Sequence, residues 1–209
     1  MKNATKHADD LRSLFRKLMK ECKPEARQPQ DPLHALVRGA MSFDVPDARA
    51  EEAMKVVAQE FVDLNELRVA TELEVQDLLG SRYPEIVRRV MMITRALNYI
   101  FEREHTLSLD RLKTVSKRDA RQFIRELPDV HPFVEAYVML FGFDGHAFPV
   151  DDDTLAHLRN LGIVEGSTTL DEAQRFVEHH LKAEECHDLF ASLRAGGLDG
   201  KGAGTKKRK

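Results

Sequence analysis

Cysteine is scarce: only Cys22 and Cys186 occur among 209 residues. Two thiols cannot make a disulfide framework, and they fit a reducing compartment. They also exclude a zinc or cluster site held by cysteines alone. No apolar run comes near the roughly 18 residues that a membrane span requires, so no membrane partner is expected. The N-terminus, Met1-Lys2-Asn3-Ala4-Thr5-Lys6, never develops an apolar core, and no secretory signal is expected. These absences fit a cytoplasmic, intracellular protein. Alternating β-branched runs are missing, as is any internal repeat at a fixed period.

What is present is 42% apolar and 32% charged residues, ordinary for a globular chain and too apolar for a wholly disordered one. The length suits one sizeable domain or two small lobes. A net charge of −3 hides an asymmetry. Residues 196–209 hold five bases (Lys201, Lys206, Lys207, Arg208, Lys209) and one acid, Asp199, so this segment carries +4 and the remainder −7. An acidic body argues against strong nonspecific nucleic-acid binding by the bulk surface, leaving a local basic patch or the tail to supply it. The tail is rich in Gly and Lys with almost nothing to bury, so disorder is expected over 196–209.

The periodicity is helical nearly throughout, and the class is all-α with about ten helices. Ile86, Val90, Ile93, Leu97 and Ile100 step by four, three, four and three, which is one apolar stripe of an amphipathic helix over 86–101. Met54, Val57, Phe61 and Leu64 repeat the pattern upstream, and Phe133, Tyr137 and Leu140 downstream. Leu170, Ala173 and Val177 start another stripe, which Leu189 and Leu193 extend. Helices are also expected near 7–21 and 33–43. Breakers divide the pieces: Pro24 to Pro32, Val45-Pro46, Gly80 to Pro84, Pro128 to Pro132, Gly142 to Gly145 and Gly166 to Thr169.

Residues 127–151 read L-P-D-V-H-P-F-V-E-A-Y-V-M-L-F-G-F-D-G-H-A-F-P-V-D. They predict a short turn between two helices, a loop, and an aspartate opening a further helix. This arrangement resembles the helix-hairpin-helix DNA glycosylase superfamily, in its endonuclease III branch. That family writes the hairpin L-P-G-V-G-x-K-T-A and follows it with a V-D pair. Leu127-Pro128 and Val130 match the hairpin, and Val150-Asp151 falls at the V-D position with no insertion or deletion between. Residues 36–45, L-V-R-G-A-M-S-F-D-V, look like the family's L-L-S-A-Q-A-T-D-V.

The resemblance covers roughly residues 30–190 and implies a two-lobed helical fold acting in base-excision DNA repair. Residues 1–195 would form a single unit, with a central lobe at about 33–145 and a second lobe from 1–32 plus 146–195. Damaged or abasic duplex DNA would lie at the cleft between the lobes, making the protein nucleoid-associated. The DNA contacts implied are Pro128, Asp129, Val130, His131 and Pro132 of the hairpin, with Met41 where the family pushes a glutamine into the duplex. Met41 has two readings, an apolar wedge or a core residue. The family hairpin grips phosphate through main-chain N–H groups that glycines leave accessible. Here Asp129 and His131 replace the glycines and Pro132 lacks an N–H, so the clamp is expected to be impaired.

Bifunctional members carry a lysine that attacks the sugar and forms a Schiff base; Phe133 holds that position, and no lysine lies between Lys117 and Lys182. Lysine-dependent lyase activity is therefore not expected. Asp151 remains, which the resemblance implies steadies the sugar cation or activates water as the base leaves, a monofunctional hydrolysis. A bland alternative stands beside it: any of Asp151, Asp152, Asp153 or Thr154 suits the N-cap of the next helix. A one-residue shift would give the role to Asp152. The four cysteines of the family's iron–sulfur cluster are missing, so no cluster and no other cofactor is expected. His179, His180, Cys186 and His187 match no standard metal site, although His179 and Cys186 are spaced to share a helix face. Arg88, Arg89, Arg95 and Arg103, with Lys113, Lys117, Arg118, Arg121 and Arg125, form either a basic strip or a solvated face paired with Glu102, Glu104 and Glu126. The opposing functional reading is a catalytically inactive helical module of the same fold, binding DNA or an unidentified protein partner.

Overall fold

A computed structural model describes residues 4–21, 24 and 27–197. Cys22 and the basic segment from 198 onward lie outside the described residues. The chain divides into two compact units, one taking residues up to Arg27 and from His146, the other Gln28–Gly145.

Eleven α-helices and no strand occur among the described residues. In chain order they begin with α1 (Ala4–Glu21), α2 (Pro32–Ser42), α3 (Asp47–Glu60), α4 (Leu64–Val69) and α5 (Glu72–Leu79). The middle of the chain gives α6 (Ile86–Glu104), α7 (Lys117–Arg125) and α8 (Pro132–Tyr137), and the end gives α9 (Asp152–Asn160), α10 (Leu170–His180) and α11 (Ala183–Ser192). Caps set many of these starts. Asp31 accepts from the backbone of Leu33 and His34 ahead of Pro32, and Asp63 does the same for α4. Thr71 with Glu74, and Thr169 with Glu172, close reciprocal capping boxes on α5 and α10.

In the central unit the stripe of α6 is buried at all five expected positions, Ile86, Val90, Ile93, Leu97 and Ile100. Against this unit's core, α4 and α5 pack on α6, while α2 packs on α8 and on the π-helical turn Val138–Gly142 that continues it. Gly142 permits that last contact, because a Cβ there would stand 2.8 Å from the Pro32 Cα. In the other unit α1 packs on α11, and α10 packs on α9 and α11.

Two expected stripes are cut. The run Met54, Val57, Phe61, Leu64 does not lie on one helix: α3 ends at Glu60, Phe61 is its cap in extended backbone, and Asp63 starts α4. Likewise Leu189 and Leu193 do not extend α10. Leu181 turns extended and is buried, and the Glu185 carboxylate accepts from the Lys182 backbone to begin α11. His179 and Cys186 therefore sit on different helices rather than on a shared face. Gly196 and Gly197, the first residues of the expected tail, end a kinked stretch, Leu193–Gly197, whose backbone leaves helical geometry at Gly196, φ 140°.

Candidate functional site

The hairpin joins α7 to α8. Asp129 takes a left-handed conformation, φ 57°, at a position where the family has glycine. Aspartate tolerates this region better than most residues. Its carboxylate pairs with Arg95 at 2.7 Å on the surface. His131 is the N-cap of α8, its ring Nδ1 accepting from the Phe133 N–H at 3.2 Å, which assigns the ring proton to Nε2 in the neutral form. With Pro132 lacking an N–H, the first turn of α8 keeps few donors for an outside anion. Phe133, which the resemblance aligns with the family's lysine, is fully buried.

A second layer braces the hairpin. Glu135 is buried and takes the guanidinium of Arg121 on one oxygen and that of Arg125 at 2.7 Å on the other, tying α8 to α7. The His131 ring stacks on Phe43, centroids 4.7 Å apart and planes 8° from parallel. The Arg89 guanidinium lies over the same Phe43 ring at 3.8 Å. Arg89 itself overturns an expectation: it is not on the polar side of α6 with Arg88, Arg95 and Arg103 but 1% exposed. It donates to the carbonyls of Ala40 at 2.6 Å, Phe43 at 2.7 Å and Pro84 at 2.8 Å. The Tyr83 hydroxyl donates to the Met41 carbonyl at 2.7 Å. Together they satisfy the Ala40, Met41 and Phe43 carbonyls at the C-terminal end of α2. Burial lowers the guanidinium's pKa from its ordinary value, with Tyr83 and Glu85 opposing. Met41 is fully enclosed, so its place is the core and not an exposed wedge.

The remaining basic residues are largely engaged within the central unit. Arg88 pairs with Glu85, Arg103 with Glu126, Arg111 with Glu104 and Lys113 with Asp110, while Lys117 donates to the Phe143 carbonyl. A shallow groove of about 900 Å³ runs beside the hairpin, lined by Tyr83, Ile86, Arg88, Arg95, Asp129 and Val130. Its two arginines already carry acidic partners.

Asp151 belongs to the other unit, as the N-cap of α9. Its Oδ1 accepts from the Thr154 backbone at 2.9 Å and the Thr154 hydroxyl at 2.5 Å. Its Oδ2 receives Arg194 Nη1 at 3.1 Å. The aspartate has zero exposure and the Arg194 side chain 6%, so this is a buried ion pair at a helix N-terminus. Asp152 and Asp153 point outward and are exposed. Sequence reasoning passed over Arg194, whose only signal was a lone base closing the apolar run Leu189-Phe190-Ala191-Ser192-Leu193.

Near the C-terminal end, the His179 and His180 rings meet edge to face at 4.8 Å, and burial pulls His180 below the usual histidine range. Cys186 is buried, and burial, with Glu178 and Glu185 nearby, pushes its thiol up to about 12. Among the described residues no group of three or more His, Cys, Asp and Glu side chains could hold a metal ion. No helix of these residues is long and apolar enough to cross a membrane.

No family model matches the sequence, and no curated protein matches it. Solved structures do match in fold. The Clostridium acetobutylicum 8-oxoguanine glycosylase/lyase, in complex with duplex DNA containing cytosine opposite 8-oxoguanine, superposes with a TM-score of 0.73 at 16% identity, covering 95% of this chain and 71% of that one. Endonuclease III, trapped as a covalent intermediate with DNA, gives 0.71 at 14% identity, covering 90% and 85%. The H. pylori 3-methyladenine DNA glycosylase MagIII, bound to 1,N6-ethenoadenine, gives 0.69 at 12% identity, covering 93% and 98%. With its helices, its hairpin and its capping aspartate in this order, the chain carries the helix-hairpin-helix DNA glycosylase fold.

Proposed function

We propose that the chain is a base-excision-type repair protein that recognises damaged or abasic duplex DNA without cleaving it, and in which Asp151 serves folding rather than bond breakage. The observation that carries this is the enclosure of the Asp151 carboxylate, one oxygen on Thr154 and the other on Arg194 with zero exposure. A carboxylate that steadies a sugar cation or activates water has to offer an oxygen to the substrate. The buried Phe133 in the nucleophile position agrees, because it has no amine to form a Schiff base. DNA as the ligand is supported by the fold, whose solved examples include DNA complexes, and by the groove beside the hairpin. Pro128, Asp129, Val130, His131 and Pro132 would form the contact. Binding is weak, since the Val130 and Phe133 amides and the Arg95 charge are already used and Pro132 has no N–H.

A second reading, hydrolysis by Asp151-activated water, is favoured by one observation: this aspartate caps α9 directly after Val150, the place the family gives its catalytic acid. It requires Arg194 to withdraw from Oδ2. The two readings separate in a gel shift with abasic duplex at low salt, run beside a base-release assay on a lesion panel. Micromolar binding without release, equal in wild type and Asp151→Asn, is the expected result. Base release by the wild type that Asp151→Asn abolishes overturns it in favour of hydrolysis, and no binding at all overturns the DNA reading. Asp151→Asn strands Arg194 and costs about 3 kcal/mol. If it unfolds the chain, the pair Asp151→Asn with Arg194→Leu keeps the comparison.

A further inference from the structure

One face of the central unit takes no part in the hairpin. Val62 is 89% exposed, Leu73 66%, Val69 65% and Leu78 39%, so four of the seven large apolar residues left exposed among the described residues fall between 62 and 78. Such clustering is unlike the scattered exposed aliphatics of an ordinary surface. A groove of about 530 Å³ runs through it, with Phe61, Val69, Ala70 and Leu78 as its apolar part. Its rim is acidic: Glu60, Glu66, Glu74 and Asp77.

Charge selects among the occupants that such a groove admits. Residues 60–79 contain six acids and a single base, Arg68. That base is turned away, donating to the Asn98 side chain at 2.9 Å and lying 4.1 Å from the centroid of the Phe101 ring. Glu66 accepts from the Val62 backbone and Glu74 from Thr71, and the Thr71 bonds lower the Glu74 carboxyl's pKa from its ordinary value. Nucleic acid and anionic lipid are repelled by this field. A second copy docked on the same face would bring two acidic rims together. The chain's own Lys-rich tail has the right charge, but beyond Leu198 it offers almost no apolar side chain to cover the floor.

We propose that the α4–α5 groove docks a basic amphipathic helix of another protein, its apolar stripe on Phe61, Val69 and Leu78 and its lysines or arginines against the acidic rim. Helix-in-groove binding of this kind takes its affinity from the apolar anchors and its selectivity from the charges. The contact is independent of the DNA reading, since none of its residues belongs to the hairpin or to Asp151.

The test is fluorescence anisotropy of the full chain with a labelled Leu/Lys amphipathic peptide, against a scrambled peptide of identical composition. The ordered peptide is expected to bind at least about tenfold tighter than the scrambled one. The exposed double variant Val69→Ser with Leu78→Ser, and separately Glu60→Lys with Asp77→Lys, should each weaken it by about tenfold, while Leu161→Ser in the other unit leaves it unchanged. Circular dichroism melts confirm that the variants fold. Equal binding of the two peptides, retention of binding in both double variants, or sedimentation showing that copies of the chain pair through Val69 overturns the proposal.

Discussion

Arg89 shows how one side chain departs from its apparent class. By residue type it belongs with Arg88 and Arg95, yet it lies three residues after Ile86 and four before Ile93, alongside the buried stripe. Helical spacing thus gave a hint that its charge concealed. What spacing cannot supply is the partner, the carbonyl end of α2, some 46 to 49 residues away in sequence. Replacing Arg89 by Met keeps bulk but leaves the Ala40 and Phe43 carbonyls without their donor, and an unsatisfied buried acceptor costs about 1–3 kcal/mol. Arg89→Met is therefore expected to lower unfolding stability by roughly 3 kcal/mol, and Arg89→Lys is no rescue, because a single ammonium cannot span the positions that the guanidinium fork reaches. Urea denaturation checks this through a shifted midpoint at constant m-value; a loss below about 1 kcal/mol contradicts it. Asp151 carries the same lesson. An aspartate opening α9 suits both capping and catalysis, so residue type left both readings open, and the bond from Arg194, 43 positions later, is a contact that no local pattern announced.

At the scale of elements, the hairpin was legible because Pro128, Asp129 and Pro132 are local breakers whose effect needs no tertiary partner. The breaks after Glu60 and after His180 were not, because the apolar spacing continues across them. A capped restart such as Asp63 for α4 leaves the stripe in register, and only the side chain's bonds to the Asn65 and Glu66 amides show where one helix stops and another begins. The hairpin also yields a direct prediction. Asp129 sits at φ 57°. Glycine there relieves roughly 1 kcal/mol of backbone strain and forfeits a surface pair worth up to about 1 kcal/mol, so Asp129→Gly should leave stability nearly unchanged. The same change removes a negative charge from the hairpin and releases Arg95. Abasic-duplex affinity is then expected to rise by roughly threefold to tenfold at low salt, a gain consistent with about one added phosphate contact. Anisotropy with labelled duplex measures it, and unaltered affinity in a folded Asp129→Gly protein means the hairpin does not touch DNA.

At the scale of the whole molecule, the fold was legible at low identity, because helix order, the breakers of the hairpin and an aspartate opening α9 can be read locally whatever stands between them. Solved glycosylases at 12–16% identity still superpose with TM-scores of 0.69–0.73. Charge is where this chain differs from an efficient DNA binder. Arg88, Arg95, Arg103, Arg111 and Lys113 each meet an acid, and Arg121 and Arg125 share the buried Glu135. A cation already neutralised by a protein carboxylate releases little counterion when it approaches phosphate, since its own pair must first be broken. The affinity for duplex should accordingly fall gently with salt, with a slope of log K against log salt of about −2. Much of that slope should come from Lys201 and Lys206 to Lys209, the bases beyond the described residues. Truncation after Gly197 is expected to flatten the slope by at least half while leaving the melting temperature in place. A slope near −6, typical of several unpaired phosphate contacts, would require the paired arginines to exchange their carboxylates for DNA. Persistence of that steep slope after truncation would assign the binding to residues up to Gly197 rather than to the bases after them.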